Sequence, residues 1–84
     1  MVPALRILKA LADGTRLRIV DYIGTGERCV CEIVPFARKS QPNVSLHLKK
    51  LVRAGVLSSR RDGQRIFYRV KDRRVISLLR MLRC

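Results

Sequence analysis

The run from residue 40 to residue 70 constrains this chain most: a long amphipathic helix pattern is followed at once by two strand-like segments around Asp62 and Gly63. Ser40 stands at the N-cap position of residues 40–54, where its hydroxyl can take an orphan amide of the first turn. Pro42 falls in that turn, where a missing N–H costs little. Val44, Leu48 and Leu51 recur at spacings of four and three, the stripe of a helix packed on one side, and Ala54 and Gly55 close it. At about 100° per residue the opposite face carries Asn43, Ser45, Leu46, Lys49, Lys50 and Arg53, with Gln41 exposed at the start. Within 56–70, segments 56–61 and 64–70 flank Asp-Gly, a dipeptide favoured by the two-residue type I′ turn, so a hairpin is expected. That turn pairs Leu57 with Tyr68 and Ser59 with Ile66 on one face, and sets Arg60 opposite Arg65 on the other.

The flanking segments are helical in pattern. Residues 3–12 are apolar at Ala4, Leu5, Ile7, Leu8, Leu11 and Ala12, too many for one narrow stripe, so this helix is expected to touch the core and a second surface. Asp13 and Thr15 offer caps for a helix running to about Ile23, with Leu17, Ile19, Val20 and Ile23 inward and Gly24 and Gly26 ending it. A short helix is expected over 29–37. Residues 72–83 form a last helix, apolar at Val75, Ile76, Leu78, Leu79, Met81 and Leu82, again greasier than one core needs. The outline is a mainly α fold with a β-hairpin wing: a winged helix-turn-helix of about five helices. The 84 residues leave room for a single domain, 1–84, with no internal repeat or linker. A chain this short buries only roughly 60–65% of its unfolded surface, so further burial through dimerisation would help it.

Charge points to the partner. The net charge of +13 is concentrated: residues 38–74 contribute +10, residues 1–37 only +1 and the tail +2. A concentrated basic block meets phosphates and releases their counterions, which favours nucleic acid over an acidic protein or a lipid surface. Gln41 and Asn43 are types that bond adenine bidentately, Ser45 reaches either base class and Leu46 can meet a thymine methyl. Lys49 and Lys50 suit phosphates. Arg60 beside Arg65 would destabilise an isolated hairpin and be relieved by a polyanion. The plainer alternatives are a solvated helix face and an edge strand guarded by charge. His47, beside the core stripe, reads as a hydrogen-bonded flank residue rather than a base reader.

No apolar run approaches the roughly 20 residues needed to span a bilayer, and Arg6, Lys9 and Asp13 interrupt a signal-peptide pattern, so a cytoplasmic location is expected. In that reducing setting the three cysteines read as free thiols or metal ligands rather than a disulfide framework, with small apolar packing as the alternative. On an ideal helix Cys29 and Cys31 would point about 200° apart, so one ion could hold both only by deforming the helix. Free first-turn amides and Arg28 would favour the thiolates. Pro35 lacks the N–H that would bond the carbonyl of Cys31, weakening that turn. One histidine and scattered carboxylates provide no nucleophile and base pair, so an enzyme is not expected.

Taken together, "LADGTRLRIV", "CVCEIV", "SQPNVSLHLKKLVRAGVL" and "RRDGQRIFYRV" resemble the ArsR/SmtB family of winged-helix metal- and metalloid-responsive transcriptional repressors, most closely its arsenic-responsive members. The resemblance implies a homodimer through helices 3–12 and 72–83, with recognition helices spaced one DNA turn apart on a palindromic operator. It also implies release by an inducer. No resident cofactor is required. The "CVCE" pair resembles the arsenite and antimonite site, which makes Cys29 and Cys31 ligands of As(III) or Sb(III); Cd(II), Pb(II) or Zn(II) are the related candidates. Arsenic-responsive relatives often carry another cysteine three residues after the pair, where this chain has Val34, and Cys84 is the candidate to complete the set. The last helix has no histidine, so the family's histidine and carboxylate zinc site is not supported. Two other readings compete: a constitutive architectural or RNA-binding basic module, and a repressor switched by a Cys29–Cys31 disulfide.

Overall fold

The computed structural model describes residues 2–83. In chain order its elements are α1 (Val2–Leu11), α2 (Gly14–Ile23), β1 (Glu27–Cys29), α3 (Val30–Ala37), α4 (Gln41–Arg53), β2 (Leu57–Asp62), β3 (Arg65–Val70) and α5 (Arg73–Leu82). Three helices start where a short polar side chain takes an orphan amide. The Asp13 carboxylate accepts from the Arg16 amide at 3.0 Å, Ser40 Oγ from Asn43 at 3.3 Å and Asp72 from Arg74 at 2.9 Å. Gly24, at φ 56°, turns the chain out of α2 in a region glycine enters without penalty. The winged helix-turn-helix architecture is therefore built on the expected helices.

Val44, Leu48 and Leu51 are fully buried and pack with Ile19, Val20, Ile33, Val56 and Leu57 in the core that seats α4. Ile19, Val20 and Ile23 are buried as expected, but Leu17 is 37% exposed. It sits on the flank of that stripe and lines a groove with Leu79 of α5 instead. A polar corner fixes α4 from the other side. Arg16 donates from Nε to the Ala10 carbonyl at 2.6 Å and sets Nη1 3.2 Å from Nδ1 of His47, which is thus the flank residue the sequence suggests. A guanidinium only donates, so that ring nitrogen accepts.

The hairpin forms, with a corrected register. β2 and β3 pair Leu57 with Val70, Ser59 with Tyr68, Arg60 with Phe67 and Asp62 with Arg65, so the loop is Gly63 and Gln64, not Asp62 and Gly63. A type I′ turn on Asp-Gly would require Asp62 at positive φ. Here, between the two strands, positive φ falls on Gly63 alone, at 62°, the sign pattern of a type II′ turn. The shift of two residues keeps every side chain on its expected face. It replaces the like-charged Arg60–Arg65 pair with Arg60 beside Phe67 and Asp62 beside Arg65, and sets two buried aliphatic side chains, Leu57 and Val70, against each other.

The second correction concerns β1. Residues 27–29 form a short strand antiparallel to β3, giving a three-stranded sheet in the order β1-β3-β2. Cys29 is therefore the end of a strand and the N-cap of α3, not a residue of the helix. Its extended backbone (φ −72°, ψ 146°) takes it out of the helical geometry on which the 200° separation from Cys31 rested. Pro35 does lie inside α3, and the helix ends on Arg38 in the left-handed conformation, φ 55°.

Candidate nucleic-acid interface and thiol site

The burial of one side of α4 leaves the other side outward. Gln41, Asn43, Lys49 and Lys50 are exposed, Leu46 is 55% exposed and Ser45 is half-buried. All six predicted helix positions thus lie off the Val44, Leu48, Leu51 stripe. Ser40 fixes the start of the helix, so Gln41 and Asn43 are held in its first turn. Arg60 and Arg65 are exposed on β2 and β3, and Arg61, which the sequence reading did not single out, is exposed beside them. Its place next to the hairpin turn was the available signal.

Arg60 is not free on this surface. Its Nε and Nη2 donate to the two carboxylate oxygens of Glu27 on β1, at 2.8 and 2.7 Å, and its Cζ lies 4.6 Å from the centre of the Phe67 ring. The bond from Arg60 holds the Glu27 carboxyl below its ordinary value, with the charges of Arg60 and Arg69 acting in the same direction. The pair spans 33 residues of sequence, and only the unpredicted strand β1 brings it together.

Cys29 and Cys31 come together where β1 passes into α3. They form a disulfide, with Cα atoms 5.0 Å apart. Cys29 is buried and Cys31 exposed. The Cys31 amide points at the Cys29 Sγ, 3.1 Å away, while Glu32 reaches back to accept the Cys29 amide at 3.0 Å. This is a capping box in which cysteine takes the place usual for serine or threonine. Accepting that amide, and then the Arg28 guanidinium at 3.3 Å, keeps the Glu32 carboxyl below its ordinary value. Arg28 also stacks over Tyr22 at 4.3 Å, and Tyr22 stacks on Phe36 with centroids 4.0 Å apart. The Cys29 to Glu32 spacing was the signal for this cap, hidden because cysteine is not a usual cap residue.

The expectation that both sulfurs could meet only by deforming the helix is overturned, because Cys29 lies before the helix and its sulfur already meets that of Cys31. When reduced, the pair supplies two soft donors on one side of the chain, which suits a thiophilic ion. No group of three or more His, Cys, Asp or Glu that could hold a metal ion occurs among the described residues. Cys84, the candidate third ligand, lies outside the described residues.

A helix with a buried stripe and an outward polar face, backed by a basic hairpin, defines a winged helix-turn-helix DNA-binding regulator. The chain belongs to the arsR family of bacterial regulatory proteins, whose model matches residues 13–59. It is 48% identical over 79 residues to a probable mercury resistance operon repressor of Streptomyces lividans, covering 94% of this chain and 63% of the relative. It is 46% identical over 65 residues to the arsenic resistance transcriptional regulator ArsR1 of Pseudomonas putida, covering 76% of this chain and 51% of that protein. The chain thus spans about half to two thirds of the length of these two relatives. Among solved structures, the homodimeric winged helix-turn-helix domain Mb0332 of Mycobacterium bovis, described as a possible ArsR-family regulator, superposes with a TM-score of 0.85 at 34% identity. That match covers 95% of this chain and 74% of the other. These relatives are regulators, not enzymes. No helix among the described residues is long and apolar enough to cross a membrane.

Proposed function

We propose that this chain is a homodimeric transcriptional repressor that docks α4 and the β2–β3 wing on a palindromic operator and lets go when a thiophilic metalloid is taken by Cys29 and Cys31. Arsenite or antimonite is the preferred inducer; cadmium, lead and zinc are the related ions. One observation carries the reading: Cys29, Phe67 and Arg60 stand in register across the three strands, so one member of the thiol pair and the basic wing share one small sheet. A ligand that reshapes the end of β1 acts directly on the wing, and through α3 on the recognition helix that follows. The names of the mercury and arsenic relatives support the inducer class.

Dimerisation through α1 and α5 is supported by their outward apolar side chains. Leu5, Leu8 and Met81 are 52%, 54% and 80% exposed, and a cavity of about 260 Å³ lined by aliphatic side chains of both helices, with Asp72 and Arg74 at the start of α5, opens between them. A second copy would cover this surface, as symmetric self-association does for most small oligomers.

The test is a fluorescence-anisotropy titration of palindromic against scrambled duplex, followed by the inducer ions. A preference of roughly 10³-fold or more for the palindrome is expected, with operator affinity falling on adding arsenite. Equal affinity for both duplexes contradicts the repressor reading. The disulfide favours a second reading, in which oxidation of the same pair is the signal. Release by oxidant and not by arsenite would select it.

A further inference from the structure

We propose that Glu27 is an intramolecular stand-in for a DNA phosphate: in the free protein its carboxylate holds the Arg60 fork, and the operator backbone takes Arg60 from it. The inference rests on the DNA-docking reading above and deepens it, since it names a residue that sets operator affinity from outside the docking face.

The geometry is that of phosphate recognition. An arginine offers a planar fork that matches carboxylate and phosphate alike, and Arg60 presents Nε and Nη2 to both Glu27 oxygens at 2.8 and 2.7 Å. The Phe67 ring beneath its Cζ, at 4.6 Å, holds the guanidinium in that plane. The Arg60 side chain is 54% exposed and that of Glu27 30%, so a polyanion can reach the fork from solvent. Arg69, opposite Glu27 on β3, adds to the field that keeps it ionised. A phosphate offers the fork the same two-oxygen geometry as the carboxylate, so it can take Glu27's place.

Occupied by Glu27, Arg60 brings no net charge to the duplex. Released, it adds one phosphate contact. β1 is three residues long and ends in Cys29, so anything that moves Cys29 moves the acceptor of Arg60 with it. The latch thus joins the wing's charge to the strand that carries the thiol.

The experiment is operator binding by anisotropy across 50 to 300 mM salt for wild type, Glu27→Gln, Arg60→Ala and the double variant. One additional phosphate contact steepens the slope of log affinity against log salt by about 0.9, which at 0.1 M salt corresponds to roughly 5–10-fold tighter binding. Glu27→Gln is expected to show both changes, and to show neither in the Arg60→Ala background. Unchanged or weaker binding by Glu27→Gln overturns the proposal, as does an equal gain with Arg60 absent, which would reduce Glu27 to general repulsion. If wild type binds no duplex at all, the docking reading falls and takes the latch with it. If wild type binds with a steep slope that Glu27→Gln leaves unaltered, only the latch falls. Should Glu27→Gln fail to fold, the Arg60 Nε–H resonance of wild type decides: it should move when duplex is added, and a stationary resonance overturns the proposal.

Discussion

Replacing Cys29 by serine or by alanine separates its two roles, cap and thiol. Cys29 is 3% exposed and its Sγ accepts the Cys31 amide at 3.1 Å, so the atom at this position closes the first turn of α3. Serine is among the preferred cap residues, and with Glu32 already bonded to the residue 29 amide at 3.0 Å it completes an ordinary capping box. The buried hydroxyl keeps a partner, so it carries no large penalty. Alanine removes the side-chain acceptor of the Cys31 amide, at a cost of about 1 kcal/mol relative to serine. For a domain of this size that difference is about 4–8 °C in Tm. The assay is thermal unfolding of wild type and both variants under reducing conditions, at one protein concentration because a dimer's Tm depends on it. Cys29→Ser should lie within about 1 kcal/mol of reduced wild type and bind duplex normally, with Cys29→Ala below it. An alanine variant as stable as the serine variant would show that the sulfur closes no turn, and the capping argument would be wrong.

Leu48→Ala removes a fully buried side chain from the α4 stripe and should cost about 2–5 kcal/mol in urea unfolding; a loss below about 1 kcal/mol would mean that α4 is not seated through this stripe. Asn43→Ala should lose about 1–3 kcal/mol and relax preference at the base it reads, whereas Lys49→Ala should weaken all duplexes alike and lower the salt slope by about 0.9. The same profile for both would contradict the division of α4 into base-reading and phosphate-binding positions. The Asp13, Glu27, Glu32 and Asp72 carboxyls are all held below their ordinary values of 3.8 for Asp and 4.5 for Glu. Depressed folded values mean stability that is present above the ordinary carboxylate range and is lost as pH falls through the lower folded values. Urea midpoints should therefore hold from neutral pH down to that range and drop below it; a midpoint that rises on acidification would refute the capping and latch contacts together.

The elements that the sequence made legible are those whose physics is local. Asp13 and Ser40 cap helices because a short acceptor meets an amide three residues away, and Val44, Leu48 and Leu51 announce their burial by spacing, whereas Asp72, read as the first residue of the last helix, proves to be its cap. The hairpin was legible from Asp62 and Gly63, but its register was not, since Gly63 can serve as the second central residue of a type I′ turn or as the first of a type II′ turn. β1 is three residues long and carries no periodicity, so its pairing with β3 is decided by tertiary contact. Losing β1 from the reading misplaced Cys29 on α3 and hid Glu27 as the partner of Arg60. The outward face of α4 followed from the inward one, which is why its residues were legible together.

The claim at the centre of this account is that the thiol pair governs the DNA-facing surface beside it, and the ratio of duplex affinity without and with arsenite tests it most directly. In reduced wild type that ratio should lie at about 5–150, the range of an ordinary allosteric coupling, and in Cys29→Ser and Cys31→Ser it should be one. Equal release of wild type and both serine variants, or no release of any, would contradict it.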